Sequence, residues 1–212
     1  MRTLLALLAP LAMFALAACV SVGIGGEPAP QAYYLLHDAT TATPSRRAAP
    51  LVDALLIQPT PAGALADTVS IAYSRHPYEY GYYQLAFWTE RPVRQLPRLL
   101  QQRLEARGIA AAVGIVGEPL RADWLLAIGV DTLHHDVSAQ PGQARFVLTA
   151  ELFDRRSRTR IARRQFEASA PTARADSAAA AIALSQAVGQ VFDALLPWLE
   201  DELQRAAPAA AR

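Results

Sequence analysis

QARFVLTAELFDRRSRTRIARRQFEAS, residues 143 to 169, decides the fold class. Phe146, Leu148, Ala150 and Leu152 occupy alternate positions, the period of a strand with one apolar face. Asp154 to Thr159 is polar and short enough to turn the chain, and Ile161 and Phe166 lie on the returning strand. The pattern predicts an antiparallel hairpin. After it the period changes. From Asp176-Ser177, a good N-cap pair, Val188, Val191, Phe192, Leu195, Leu196, Leu199 and Leu203 recur at three- and four-residue spacing. That spacing predicts a long helix with a wide apolar stripe. Pro197 lies inside it and is expected to kink or interrupt it.

The same two periods alternate back toward the N-terminus. ADWLLAIGVDTLHHDV (122–137) and AAVGIV (111–116) read as strands. Before them Val93, Leu96, Leu99, Leu100 and Leu104 predict an amphipathic helix, with Thr89 as N-cap and Gly108 to end it. Pro97 implies an irregular first turn or a start near Leu96. VSIAYSRHPYEYGYYQLAFW (69–88) reads as two strands around a turn near His76-Pro77 or Gly81. LVDALLIQP (51–59) is a strand ended by Pro59 and Pro61, and AYYLL (32–36) a first short one. This order predicts an α+β single domain, a largely antiparallel sheet with two main helices packed on one face.

The N-terminus has a different logic. Arg2, the apolar run Leu4 to Leu16 and the small residues Ala15, Ala17 and Ala18 form an export signal. At about 13 residues the run is too short to span a bilayer. Ala15-Leu16-Ala17 would suit ordinary signal peptidase and release a soluble chain with a free thiol. Leu16-Ala17-Ala18-Cys19 instead resembles the lipobox of bacterial lipoproteins, whose cysteine is acylated and becomes the first residue. Cys19 is the single cysteine of 212 residues. A lone thiol in an oxidising compartment favours the second reading, and several acyl chains on one residue suffice for stable anchoring. Val20 and Ser21 follow in place of an inner-membrane retention aspartate, so the default address is the outer membrane. The expected organisation is a signal peptide at 1–18, a lipidated flexible tether at 19–32, a domain at 33–206 and a disordered tail at 207–212.

A net charge of +1 is unlike that of a nucleic-acid binder. Nothing forms a nucleophile elbow, a phosphate loop or a metal motif, and no cofactor, metal or catalytic residue is expected. His134-His135-Asp136 would be split between the two faces of a strand. His76 and Glu79 could pair as acid and base, but no nucleophile accompanies them. Two surfaces stand out. Tyr78, Tyr80, Tyr82 and Trp88 belong to an aromatic hairpin suited either to internal packing or to a partner or oligomer interface. Arg156, Arg158 and Arg160 would share one face if extended, either as a solvated, aggregation-resistant hairpin or as a contact for lipid phosphates or an acidic partner.

Taken in order, the lipobox, AYYLL, VDALLIQP, the aromatic hairpin closing on FWTERP, the Leu-rich helix, ADWLLAIGVDTL, the 144–171 hairpin and a terminal helix ending WLEDEL resemble the ABC-type transport auxiliary lipoproteins. That family includes the paraquat-inducible protein C lipoproteins. The resemblance covers about residues 33–203 and implies a non-enzymatic role. Such a protein would serve an envelope-spanning lipid transport system with an ABC-type transporter and a periplasmic mammalian-cell-entry-type protein. The resemblance implies that it docks that protein at the outer membrane, without chemistry of its own and as a homo-oligomeric ring. A lipoprotein assisting outer-membrane or lipopolysaccharide assembly is the alternative.

Overall fold

The computed structural model describes residues 30–39, 45–61 and 63–210. Cys19, the signal peptide and most of the tether lie outside the described residues. Among the described residues, eight strands and two helices follow one another as β1 (Ala32–Tyr34), β2 (Val52–Pro59), β3 (Ser70–Ser74), β4 (Gly81–Trp88), α1 (Pro92–Arg107), β5 (Ala110–Ile115), β6 (Trp124–Asp136), β7 (Gln143–Asp154), β8 (Thr159–Pro171) and α2 (Ser177–Ala210).

Strand β6 is the spine of the sheet. Along one edge it pairs antiparallel with β7 for its whole length, and β7 pairs with β8 as the alternating pattern predicts. Its other edge is shared. The first half, Trp124 to Ile128, runs parallel to Leu55–Pro59 of β2, while His135 and Asp136 run parallel to Tyr73 and Ser74 of β3. The handover follows from local chemistry. At Thr60 the chain leaves β2, and both its N–H and its hydroxyl donate to the Ile128 carbonyl, at 2.8 and 3.1 Å. Residue 129 is glycine because a Cβ there would lie 2.6 Å from the Thr60 hydroxyl.

The α+β domain holds, but the sheet is mixed rather than largely antiparallel. Pairs β3/β4, β6/β7 and β7/β8 are antiparallel; β1/β4, β2/β5, β2/β6 and β3/β6 are parallel. Hairpins are written in adjacent residues. Parallel partners meet only after a crossover, here α1, which returns the chain so that β5 lies beside β2.

Both helices pack on one face, into a core that unites Leu55, Ile57, Phe146, Leu148, Leu152, Leu96, Leu100, Leu104, Val188, Phe192, Leu195 and Leu199. Helix α2 is long and apolar enough to cross a membrane by length and composition, yet most of that window is buried against the sheet, which makes it a core helix. Neither proline breaks its helix: Pro97 lies within α1, and Pro197 within α2. Helix α2 also runs to Ala210, past the tail boundary expected at 206. The cap of α1 is Arg91 with Pro92 as first residue, not Thr89, whose N–H donates to the Tyr34 carbonyl of β1. Gly108 ends α1 in the left-handed conformation, φ 70°, donating to the carbonyls of Leu104 and Glu105.

Candidate functional site

The two surfaces singled out in the sequence lie at opposite ends of β6. Its C-terminal end meets the β3–β4 turn through the Tyr73–His135 and Tyr73–Gly81 pairings. Its N-terminal end meets the β7–β8 turn through Trp124 and Asp154. Twelve residue steps of about 3.3 Å separate them by roughly 40 Å.

At the first end the aromatic side chains divide between the faces of the sheet. Tyr73 and Tyr83 face the helices with ring centroids 5.0 Å apart, and the Arg75 guanidinium lies 5.0 Å from the Tyr73 ring centre. His135, wholly buried, fixes this cluster. Thr172 Oγ1 donates to the Pro141 carbonyl at 2.8 Å, so it accepts from His135 Nε2–H at 3.1 Å. That tautomer leaves Nδ1 to accept the Tyr83 hydroxyl at 2.8 Å. Burial holds the His135 imidazole below its ordinary pKa and lifts the Tyr83 phenol above its own. Tyr73, Arg75, His76, Tyr83 and Ser138 help to line a hollow of about 310 Å³ there.

On the outer face, away from the helices, Tyr33 and Phe87 lie 5.7 Å apart, and Tyr80 packs edge-on against His134 at 5.1 Å. The two adjacent imidazoles therefore diverge, as strand alternation requires. Burial depresses the pKa of His134 too, and its Nδ1 is buried without a hydrogen-bond partner. Tyr78 is 100% exposed, at φ 67° in the β3–β4 turn, and Tyr80 and Tyr82 are also exposed. Trp88 is a correction to this group. It is 2% exposed and belongs to the helix-facing core, because its place on β4 points it inward. His76 and Glu79 share the turn, joined by a bond from Glu79 N–H to the His76 carbonyl. Among the described residues no three His, Cys, Asp or Glu side chains gather where they could hold a metal ion.

At the second end the arginines do not form the extended row that an unbroken strand would give. Arg156 and Arg158 lie in the turn, Arg158 at φ 59°, while Arg160 is on β8 and donates to Glu151 at 2.7 Å. The turn is organised by Asp154. Desolvation is the largest single influence on its carboxyl and opposes ionisation, but bonds from the Arg156 N–H, the Ser157 hydroxyl and the Ser157 N–H together outweigh it, and its pKa is lowered. Arg155 donates to the Ala122 carbonyl, and Arg156 lies 3.9 Å from Asp123. Arg121, Asp123, Trp124, Asp154 and Arg156 line a shallow cleft of about 410 Å³ running to Asp53 on β2. Cations and carboxylates alternate around it.

One constellation was missed in the sequence. Arg103 of α1 is 6% exposed and donates from Nε and Nη2 to both oxygens of Asp38, at 2.7 and 2.9 Å, and from Nη1 to Asp193 of α2 at 2.9 Å. A parallel clamp joins Arg47 and Arg107 to Glu200. The Glu200 bond lifts the Arg107 pKa further. The signal was present: Leu96, Leu100, Arg103 and Leu104 share one helical face, and a cation inside an apolar stripe needs a buried partner.

The model of the ABC-type transport auxiliary lipoprotein component matches residues 34–195, nearly the whole folded domain. The chain belongs to this family. The auxiliary lipoprotein also resembles protein XCC0632 from Xanthomonas campestris, of the family DUF330, at 28% identity and a TM-score of 0.73 over 83% of this chain and 98% of that one. A second crystal structure, of an uncharacterized protein, shares the fold at a TM-score of 0.62 and 14% identity, covering 80% of this chain and 99% of its own. No curated protein matches the sequence.

Proposed function

We propose that this auxiliary lipoprotein is acylated at Cys19, held on the periplasmic face of the outer membrane, and docks the periplasmic component of an envelope-spanning lipid transport system. The observation that carries the reading is the family match over residues 34–195, joined to a lipobox that ends at the chain's single cysteine. Its transporter is of the ABC type, and the docked component is a mammalian-cell-entry-type protein about which copies assemble as a ring. The role is one of binding, not catalysis. Of the two surfaces, the arginine turn at 155–158 is the contact for the docked component, through an acidic face of that component. It lies roughly 40 Å along β6 from the aromatic end.

Two measurements test this reading. Mass spectrometry of the mature chain from envelope fractions should find residue 19 as its acylated start. An unmodified sulfhydryl, or a start at Ala18, removes the anchor. Affinity capture from solubilised envelopes should then recover a mammalian-cell-entry-type protein. Recovery of a β-barrel assembly protein in its place would assign the chain to outer-membrane construction.

A further inference from the structure

We infer that the aromatic margin of the outer sheet face rests against the lipid leaflet that holds the anchor. This builds on the acylation of Cys19 proposed above. The outer face changes character across the sheet. Over β7 and β8 it is polar and internally bonded: Thr149 and Gln165 donate to Asp131, and Arg160 and Arg163 flank Glu151. Among the described residues no such network covers the β1–β4 margin. Tyr33 and Leu35 are 63% and 59% exposed, and Tyr78, Tyr80 and Tyr82 stand out from the adjoining turn and strand. Tyrosine offers an apolar ring and a polar tip, which suits the boundary between headgroups and acyl chains.

The chain's path selects the leaflet as occupant. Strand β1, the first of the domain, is itself the edge of this margin: it pairs with β4 from Ala32 opposite Ala86, and Tyr33 packs on Phe87. The thirteen residue steps from Cys19 to Ala32, read from the sequence, span about 20 Å as a flexible chain. Ala32 and Tyr33 belong to the aromatic margin, so that margin stays within the tether's span of the leaflet. A contact too weak to bind membranes alone is populated under such a tether, because the effective concentration reaches the millimolar range.

The single thiol supplies the test. The chain from Cys19 onward is coupled through that thiol to maleimide lipid in phosphatidylethanolamine–phosphatidylglycerol vesicles and footprinted with hydroxyl radicals. Oxidation of Tyr33, Tyr78, Tyr80 and Tyr82 should fall about fivefold or more relative to the uncoupled chain, as expected when most molecules hold the contact. Ile182 and Val116, exposed apolar residues elsewhere, should be unchanged. Replacing Tyr78, Tyr80 and Tyr82 by Ser should abolish the protection of Tyr33. Unchanged oxidation at all four tyrosines, or equal protection at Ile182 and Val116, overturns the inference. So does protection that develops without vesicles as concentration rises, since the occupant is then a second copy. Chemical coupling replaces acylation, so failure here leaves the anchor proposal to its own mass-spectrometric test.

Discussion

Arg103 shows what one residue contributes when its charge is taken out of water. Its guanidinium holds Asp38, just beyond β1, and Asp193 on α2, while its stem lies in the helix-facing core. Removing one partner from a buried pair leaves the other uncompensated, which costs more than the pair itself contributes. Arg103→Ala should therefore destabilise the domain by about 3–5 kcal/mol, read as a lower urea midpoint. Arg103→Met, which keeps the stem, should still lose most of that stability unless Asp38 is changed to Asn as well. A single Ala variant within ~1 kcal/mol of the parent would refute the clamp. The glutamate clamp is more solvent-accessible, with Arg47 and Arg107 side chains 25% and 28% exposed, and should matter less.

At the scale of elements, β6 draws the sheet together and His135 fastens its C-terminal end to β4 and to the segment after β8. A histidine buried neutral makes stability depend on pH. Its folded pKa lies below the unfolded value of about 6.5, so between the two the unfolded chain binds the extra proton. The stability is complete above about 6.5 and declines as pH falls toward the folded pKa. His134 acts in the same direction, through burial. Among the carboxylates facing His135, Asp136 is held low by Ser138 and Asp176 by the Ala179 N–H, so both stay ionised through this window. The urea midpoint should fall between pH 7.5 and pH 5.5, and a His134→Gln/His135→Gln variant should lose most of that slope; an undiminished slope in the variant would place the proton uptake elsewhere. The elements themselves were largely legible. Alternation placed β6, β7 and β8, and the apolar stripe placed α2, because those signals lie within adjacent residues. The parallel pairings were not legible, since the Leu55–Trp124 and Tyr73–His135 registers join segments more than sixty residues apart. Nor was the inward turn of Trp88. It sits beyond the irregularity where β3 and β4 lose register between Ser70 and Ala72, with Leu85 at φ 55°, and simple alternation cannot be carried across such a break.

The whole molecule has a direction. Strand β1, where the described domain begins, edges the aromatic margin, whereas the β7–β8 turn lies at the opposite end of β6 from the β3–β4 turn. Position also separates the three arginines picked out in the sequence. Arg160 is committed to Glu151 at 2.7 Å, whereas the Arg156 side chain is 60% exposed in the turn, 3.9 Å from Asp123, and Arg158 is exposed at φ 59°. An acidic docking partner would be steered by the turn and hardly by Arg160. Arg156→Glu/Arg158→Glu should weaken capture of the periplasmic component by about tenfold or more, mainly through slower association and most clearly at low ionic strength. Arg160→Gln should leave capture within about twofold of the parent. The charge reversal should not unfold the domain, because both side chains lie in an exposed turn and Asp154 organises that turn through backbone N–H groups. Binding kinetics in low and high salt, with circular dichroism as the folding check, decide the matter. Equal capture by parent and reversed variant at low salt would move the docking surface off this turn, and a loss that persists undiminished in high salt would mark a contact of shape rather than of charge.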